Sequence, residues 1–323
     1  MKRKLTFRTR YSNVEHFFPE ARESFRVLLE MAAERTVEIV DDETSKVDIE
    51  IQSSLNEGGR PAFLTRFSRF AESKIQGQID FSRTRNITNQ QPFGDARVNI
   101  FYSAENHRPP PGSWDAYLTF DTYDFDGKNA YFPLWWLTCT NLLGDFNSPF
   151  LGRSLTLSEL SISRKTDLSS RENFCVAFAG KAWPFRMHAI NQLGKLGKVD
   201  VFGDLSRNRI ESKMEIASKY RFVLCFENDL YPGYVTEKLP EAWATGAIPL
   251  YWGDDRSKYF NSEAFINLND FDYYDDFLQS VKRVNENEQN WSSVASKPLL
   301  TKQPSLEKTI AVIRGALQRK KLI

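Results

Sequence analysis

The chain has 323 residues, a length that suits two domains of ordinary size. Its 43 lysines and arginines balance 42 aspartates and glutamates, which argues against a general nucleic-acid-binding protein, because such proteins carry a clustered basic excess. The basic first residues are not followed by the apolar core of a signal peptide, and no apolar run reaches the roughly 18 to 20 residues of a membrane span. We therefore expect a soluble protein.

The three cysteines are an odd number without paired spacing. Cys175 and Cys225 lie inside apolar runs, where cysteine usually behaves as a small buried hydrophobic residue, and Cys139 has no nearby partner. No disulfide framework is indicated, so a reducing compartment and a cytoplasmic location are expected.

The N-terminal half reads as strands mixed with one clear helix. Strands are predicted at residues 5–8, 37–40, 47–51 and 97–102, and a helix over 19–34. The polar stretch at 154–173 is predicted to connect two domains.

The C-terminal half is more regular. Apolar runs predict strands at 174–179, 199–202, 222–226 and 248–252, alternating with helices over 185–196, 210–219 and 237–245. This alternation predicts a parallel, doubly wound sheet covered on both faces, in which ligands bind beyond the carboxyl ends of the strands. An amphipathic helix at 306–322 either packs on one domain or, through its basic tip, makes a peripheral contact with an anionic membrane.

The segment that follows strand 222–226 suits a diphosphate. Thr236 is a favourable N-cap residue, which would place Glu237 and Lys238 in the first turn of a helix. The helix N-terminus and Lys238 would attract anionic phosphate, while Gly233 allows the backbone to approach a ligand closely. Taken alone, such a capped helix start is commonplace.

The longer pattern is more specific. The stretch FVLCFENDLYPGYVTEKLPEAWATGAIPLYWG at 222–253 resembles the donor-binding signature of the α-1,3/4-fucosyltransferases, glycosyltransferase family 10, which use GDP-fucose. NFCVAFAGKAWPFRMHAINQLGKLGKVDVFG, AENHRPP and WDAYLTFD also resemble family segments, so the resemblance covers about residues 97–270 and is nearest to soluble bacterial members.

This resemblance implies a fold class. We expect an α/β protein with two Rossmann-like domains that face a cleft, the GT-B arrangement. The N-terminal acceptor-binding domain would span residues 1–155, and the GDP-fucose-binding domain 156–300. Residues 301–323 would form the C-terminal helix.

The resemblance also implies an acceptor side. Glu105 matches the glutamate that serves the family as general base, and it follows a predicted strand. Asp121 and His107 are assigned more loosely to the acceptor side. Without the resemblance, Glu105 would be interpreted as a solvated loop carboxylate.

On the donor side, Arg186 matches the family arginine that contacts the diphosphate, a task that suits its bidentate, permanently charged guanidinium. Lys238 would supply a second cation. Asn228 and Tyr234 match positions that contact the nucleotide or diphosphate, and Glu237 matches the glutamate bound to donor hydroxyls.

A metal is not expected to be required. The chain contains two Asp-x-Asp triplets, at 124–126 and 270–272, but such short patterns arise easily, and 124–127 reads as a turn. Its three histidines are too scattered for a zinc site. Because Arg186, Lys238 and a helix N-terminus can neutralise a diphosphate, we predict metal-independent chemistry without a cofactor and with at most mild stimulation by divalent cations.

The leading hypothesis is an inverting transferase that moves L-fucose from GDP-β-L-fucose to an oligosaccharide or glycoconjugate, with O3 of GlcNAc in a Gal–GlcNAc unit implied by the resemblance. Two alternatives stay open: a transferase for another nucleotide sugar, and an inactive glycan-binding relative. For the latter, tryptophan rings could stack on sugar faces, although core packing explains most such residues. The candidates are Trp114, Trp135, Trp136, Trp243 and Trp252.

Overall fold

The structure is a computed structural model. It describes residues 3–10, 21–53, 92, 94–106, 112, 114–139, 142–144, 147–148, 150–180, 184–203, 212–228, 230–255 and 258–323. The strands of these residues form two parallel sheets, each flanked by helices.

The first sheet has six strands in the order β2-β1-β3-β4-β5-β6, all pairs parallel. Every residue of β3 and β5 is buried, as expected where helices cover both faces of a parallel sheet. The elements are β1 Leu5–Arg10, α1 Ala21–Ala33, β2 Val37–Ile39, β3 Ile49–Ser53, β4 Val98–Tyr102, β5 Ala116–Thr119, β6 Asn129–Tyr131 and α2 Leu134–Thr138.

The second sheet has five parallel strands in the order β11-β10-β9-β7-β8. Its elements, with the helix that precedes them, are α3 Leu157–Ser161, β7 Asn173–Phe178, α4 Pro184–Leu193, β8 Val199–Phe202, α5 Lys213–Ala217, β9 Tyr220–Phe226, α6 Lys238–Ala244, β10 Ile248–Trp252, β11 Ile266–Asn267, α7 Tyr274–Asn285 and α8 Glu288–Ala295. Two short 3₁₀ helices, Ser262–Ala264 and Leu268–Asp270, flank β11.

All four strands predicted in the second half are confirmed, and those at 199–202 and 248–252 have the predicted bounds. The helix predicted over 210–219 is shorter, because the Ser212 hydroxyl accepts a hydrogen bond from the backbone N–H of Glu215 (3.1 Å) and caps a helix that begins at Lys213. Residues 204–211 lie outside the described part of the chain.

Two arginines, the half-buried Arg164 and the buried Arg171, attach the polar connection at 154–173 to the second sheet. The guanidinium of Arg164 lies 4.3 Å from the centroid of the Trp243 ring and donates to the carbonyl of Ala247 (2.9 Å). Arg171 donates to the carbonyls of Tyr220 (2.7 Å) and Thr245 (2.8 Å). Both arginines satisfy backbone acceptors at the amino end of this sheet.

The amphipathic helix predicted at 306–322 is observed as α9, Glu307–Arg319, and it packs against α1, β5 and β6 of the first sheet. Arg314 donates to the carbonyl of Ala32 (2.9 Å), and Arg319 to that of Asp115 (2.7 Å). The Lys320 ammonium lies 3.1 Å from the Asp115 carboxylate. Arg319 and Lys320, which belong to the basic tip considered for membrane contact, therefore bind the first domain.

Across the described ranges, none of the helices combines the length and apolar character needed to cross a membrane. The three cysteines carry free thiols and are buried, as predicted.

The strand order determines where a ligand would meet the second sheet. From β7 the chain passes to β8 on one side and then to β9 on the other, so the order reverses between β7 and β9. Such a reversal leaves a crevice outside the carboxyl ends of the two strands, the usual ligand position in this architecture.

Candidate functional site

Most of the candidate donor-side residues lie in the stretch from β9 to β10. Strands β9 and β10 pair in register, with Phe222 opposite Ile248 and Phe226 opposite Trp252, so that both carboxyl ends lie at one edge. Gly246 closes α6 with φ +83°, where its N–H donates to the carbonyl of Trp243 (3.0 Å).

The prediction that Thr236 is the N-cap residue of α6 is wrong. Glu237 occupies the N-cap position, its own side chain makes no capping hydrogen bond, and α6 begins at Lys238. The Thr236 hydroxyl accepts from the backbone N–H of Lys238 only at 3.5 Å. Its shorter hydrogen bonds are to the carboxylate of Glu227, to which it donates (2.7 Å), and from the Lys238 ammonium (3.0 Å).

Two of the predicted donor-side residues meet at the crevice between β7 and β9. Arg186, in the first turns of α4, donates to the carbonyl of Phe226 (3.2 Å) and lies 3.5 Å from the side-chain oxygen of Asn228. Burial lowers the pKa of Arg186, and the negative charge of Glu227 raises it. The guanidinium stays protonated and brings a positive charge to this crevice.

Glu105, the candidate base, lies in the first domain and directly contacts residues 222–253, the stretch that we call the donor segment. Glu105 follows β4, and its backbone carbonyl accepts from the hydroxyl of Ser103 (2.9 Å). Its carboxylate accepts a hydrogen bond from the Tyr234 hydroxyl (2.8 Å) and lies 3.5 Å from the side-chain nitrogen of Asn228. The Glu105 carboxylate therefore contacts two of the residues that were predicted for the donor side.

The loop before α6 also packs against the first domain. The rings of Tyr234 and Phe120 lie 4.8 Å apart, and the Tyr231 hydroxyl donates to the carboxylate of Asp121 (3.2 Å). Gly233 has φ +83°, and a Cβ at this position would overlap the carbonyl oxygen of Phe120. The close approach of the two domains therefore depends on a glycine here.

Lys238 and Glu237 form a charged pair beside this loop. Burial alone would lower the pKa of Lys238, but the carboxylates of Glu237, Glu227 and Glu105 together raise it above its ordinary value, so the amine is a cation at neutral pH. One carboxylate oxygen of Glu237 lies 3.5 Å from the ammonium. The other, Oε2, is buried and accepts no hydrogen bond from the described residues, which leaves an acceptor for a ligand hydroxyl.

Sequence reasoning missed two residues that belong to this arrangement. Glu227 is fully buried, and hydrogen bonds reach both of its carboxylate oxygens. Tyr102 ends β4 in the core, its pKa raised by burial and by the charges of Glu237 and Glu105. The signal for Glu227 was present, because an acid directly after a buried strand in a parallel sheet lies at the ligand edge.

Other predicted residues lie elsewhere. The side chain of Asp124 accepts from the N–H of Gly127 (2.8 Å), which confirms the predicted turn. The five tryptophans considered for sugar stacking are at most 3% exposed and pack in the cores, where their indole rings are unavailable to a glycan. His107 lies outside the described residues. Among the residues that the structure describes, no group of three or more histidine, cysteine, aspartate or glutamate side chains could hold a metal ion.

Comparison with known proteins finds fucosyltransferases among the relatives of this chain. Residues 169–295 match the family model described as glycosyltransferase family 10 (fucosyltransferase), C-terminal, which confirms the resemblance found in the sequence. The chain is 27% identical over 223 residues to alpha-(1,3)-fucosyltransferase FucT of Helicobacter pylori, covering 59% of this chain and 46% of that protein. It is 28% identical over 168 residues to the putative fucosyltransferase R654 of Acanthamoeba polyphaga mimivirus, covering 47% of this chain and 28% of the relative. The matches thus span less than half the length of these relatives.

The fold has a counterpart among solved structures. A crystal structure of an alpha1,3-fucosyltransferase with GDP-fucose superposes with a TM-score of 0.66 at 19% sequence identity, covering 98% of this chain and 91% of that one. The predicted fold class, two Rossmann-like units in the GT-B arrangement, is thereby confirmed.

Proposed function

We propose that this chain, whose residues 169–295 form a glycosyltransferase family 10 domain, is a fucosyltransferase that transfers L-fucose from GDP-β-L-fucose to a glycan hydroxyl with inversion. The observation that carries the proposal is the contact of Glu105, from the first domain, with Tyr234 and Asn228 of the donor segment. This contact supports the proposal, because an acid here would lie between an acceptor bound by one domain and a donor bound by the other.

Two cations would bind the donor diphosphate. Arg186 lies in the crevice at the carboxyl ends of β7 and β9, and Lys238 lies in the first turn of α6. Their charges would stabilise the negative charge that develops on GDP as it leaves. The buried Oε2 of Glu237 would accept a hydrogen bond from a donor hydroxyl, and Asn228 and Tyr234 would contact the nucleotide or diphosphate.

The chemical step needs one base. As the acceptor oxygen attacks the anomeric carbon of fucose, its proton passes to the carboxylate of Glu105. The bond between the anomeric carbon and the phosphate oxygen breaks, and GDP takes the electron pair. Attack from the opposite face converts the β-linked donor into an α-fucoside. The hydrogen bond from Tyr234 fixes the orientation of the Glu105 carboxylate.

For the acceptor we propose O3 of GlcNAc in a Gal–GlcNAc unit, in keeping with the printed name of the H. pylori relative, an alpha-(1,3)-fucosyltransferase. Asp121, whose carboxylate accepts a hydrogen bond from the Tyr231 hydroxyl, would belong to the acceptor side. The domain bounds 1–155 and 156–300, the cytoplasmic location and an acceptor side that includes His107 are part of the same proposal.

The reaction is proposed to need no metal, because Arg186 and Lys238 supply the positive charge that the diphosphate requires. Transfer measured after exhaustive treatment with EDTA should retain most of its rate, with at most mild stimulation when Mg²⁺ or Mn²⁺ is restored. A rate that disappears with EDTA and returns with metal would overturn this part of the proposal.

The donor class is tested by thermal shift with GDP-fucose, GDP-mannose and UDP-sugars, followed by transfer to type 1, type 2 and lactose-based acceptors. We expect stabilisation by GDP and GDP-fucose and a fucosylated type 2 product. Stabilisation by a UDP-sugar alone would support a transferase for another nucleotide sugar. Binding of glycans without turnover would support an inactive glycan-binding relative.

A further inference from the structure

Glu227 is a buried acid with no role in the reaction described above. It directly follows β9, is 0% exposed, and its backbone N–H donates to the carbonyl of Trp252 (3.0 Å) at the end of β10. Burial raises the pKa of Glu227, while the neighbouring Lys238 lowers it. A carboxylate in such a place is retained only when its oxygens are well paired, because isolated burial of charge is costly.

Four donors surround the Glu227 carboxylate. Oε1 accepts from the backbone N–H of Thr236 (2.8 Å) and from the hydroxyl of Tyr251 (3.1 Å). Oε2 accepts from the hydroxyl of Thr236 (2.7 Å) and lies 3.4 Å from the ammonium of Lys238. Both oxygens face protein donors, so this carboxylate is placed to hold other groups and is not directed at a substrate.

Among the groups it holds is the cation of the donor site. The Lys238 ammonium lies 3.0 Å from the Thr236 hydroxyl, and that hydroxyl in turn donates to Glu227. Glu227 therefore interacts with the Lys238 ammonium in two ways: directly as an ion pair, and indirectly through the hydroxyl of Thr236. It also fixes the backbone N–H immediately before Glu237, the N-cap residue of α6.

We propose that Glu227 is a positioning residue that sets the location of the Lys238 ammonium for the leaving diphosphate. The inference rests on the proposed function, because it assigns to Lys238 the diphosphate of the donor. This role differs from a purely structural one in one respect. The loss of kcat/KM that follows a change at Glu227 should depend on the presence of the Lys238 ammonium.

The test is a double-mutant cycle with Glu227→Gln and Lys238→Ala. Glutamine keeps the volume but removes the charge and turns an N–H₂ group toward existing donors. A displacement of about 1 Å typically costs on the order of 10²-fold in rate, and we expect a loss of that size in kcat/KM for GDP-fucose. GDP, which carries the diphosphate without the sugar, should also bind about tenfold more weakly by calorimetry.

The cycle separates the two roles. If Glu227 acts through Lys238, the double variant should be no slower than Lys238→Ala alone, within about threefold. Losses that multiply would overturn the proposal, as would unchanged GDP affinity in Glu227→Gln.

Tyr251→Phe is the matched control, since it removes one donor from Oε1 without touching Lys238 or Thr236. We expect a lower melting temperature with kcat/KM within about threefold of the parent. A loss as large as that of Glu227→Gln would indicate general loosening of the network and would contradict the positioning role.

Should Glu227→Gln fail to fold, Thr236→Val breaks the same link by removing the hydroxyl between Glu227 and Lys238, and Thr236→Ser restores it. Weaker GDP binding in the valine variant and recovery in the serine variant are expected; equal behaviour of the two would overturn the proposal. Failure of the proposed function is seen separately, as an unaltered protein that does not bind GDP or transfer fucose.

Discussion

At the scale of single residues, Glu105 provides the most direct test of the chemistry. Glu105→Gln removes the basic oxygen but keeps an acceptor for the Tyr234 hydroxyl, so the loop should retain its shape. A general base contributes about 10²–10⁴-fold, and we expect kcat to fall by at least that much while the affinity for GDP-fucose changes little. Radiochemical transfer assays and calorimetry measure the two quantities.

Asp126→Asn supplies the control for the loss of an acid in the same domain. Asp126 is exposed, lies in the turn after β5 and belongs to the first Asp-x-Asp triplet. Asparagine tolerates its positive φ of 57°, so neither stability nor transfer should change. Undiminished turnover in Glu105→Gln would remove that residue from the mechanism, and a large loss in Asp126→Asn would reopen the question of a metal.

The family resemblance selected the candidate site residues, while their contacts could not be predicted from the sequence. Arg186, Asn228 and Lys238 follow strand ends or begin helices, and these positions can be read from apolar runs. The hydrogen bond between Glu105 and Tyr234 joins residues 129 positions apart in two domains. Periodicity carries no information on such a pair, because it reports only local structure and the face that each element buries.

At the scale of elements, the loop before α6 depends on Gly233. Alanine at this position would combine an unfavourable positive φ with overlap between its Cβ and the carbonyl of Phe120. The loop must then move away from the first domain and carry Tyr234 off Glu105. For Gly233→Ala we expect a melting temperature lower by more than about 4 °C and a loss of transfer of at least tenfold.

Gly127→Ala separates the two effects. Gly127 also has a positive φ, 74°, but no heavy atom lies within 4 Å of its would-be Cβ. Its alanine variant should show only the conformational cost, about 1–2 kcal/mol, and normal transfer. If both alanine variants retain normal transfer, the close approach at Phe120 is not needed for activity.

The misplaced start of α6 has an instructive cause. Threonine is a favoured N-cap residue, and local sequence rules assigned Thr236 that role. In the folded chain its hydroxyl donates to Glu227, a buried acid nine residues earlier, and lies 3.5 Å from the backbone nitrogen of Lys238, while the helix begins one residue later than predicted. A tertiary contact thus overrides a local preference at the very helix where the donor is expected.

At the scale of the whole molecule, stability should depend on pH through Glu241. Glu241 lies in α6, is buried, and accepts a hydrogen bond from the hydroxyl of Ser148, in the segment after the first sheet. Burial and the charge of Glu237 raise the pKa of Glu241 to about 8, so the folded state holds a proton that the unfolded chain releases near its ordinary value of 4.5. Its contribution to stability is complete below that value and is lost as pH rises toward 8.

We therefore expect the melting temperature to fall between pH 5 and 9, with Glu241→Gln flattening this slope and exceeding the parent at pH 9. Glutamine mimics the neutral acid in size and shape. Parallel slopes in the parent and in Glu241→Gln would exclude Glu241 as the source.

The two-sheet architecture was predictable because parallel strands buried on both faces appear as continuous apolar runs, as in β9 and β10. Less was visible in the first domain, where β5 and β6 are short and lie beside polar turns. The destination of α9 could not be read at all, since an amphipathic stripe specifies that a helix packs but not on which partner.

That destination has a consequence for protein engineering. Because α9 returns to the first sheet, the polypeptide crosses between the two lobes twice, once before β7 and once after α8. The chain therefore enters the five-stranded lobe, the domain of the second sheet, near Thr156 and leaves it near Leu306. A chimaera that exchanges the five-stranded lobe would need both junctions. After a single proteolytic cut near Thr156, the two fragments would be held together only by non-covalent contacts, among them the packing of α9 on the first sheet.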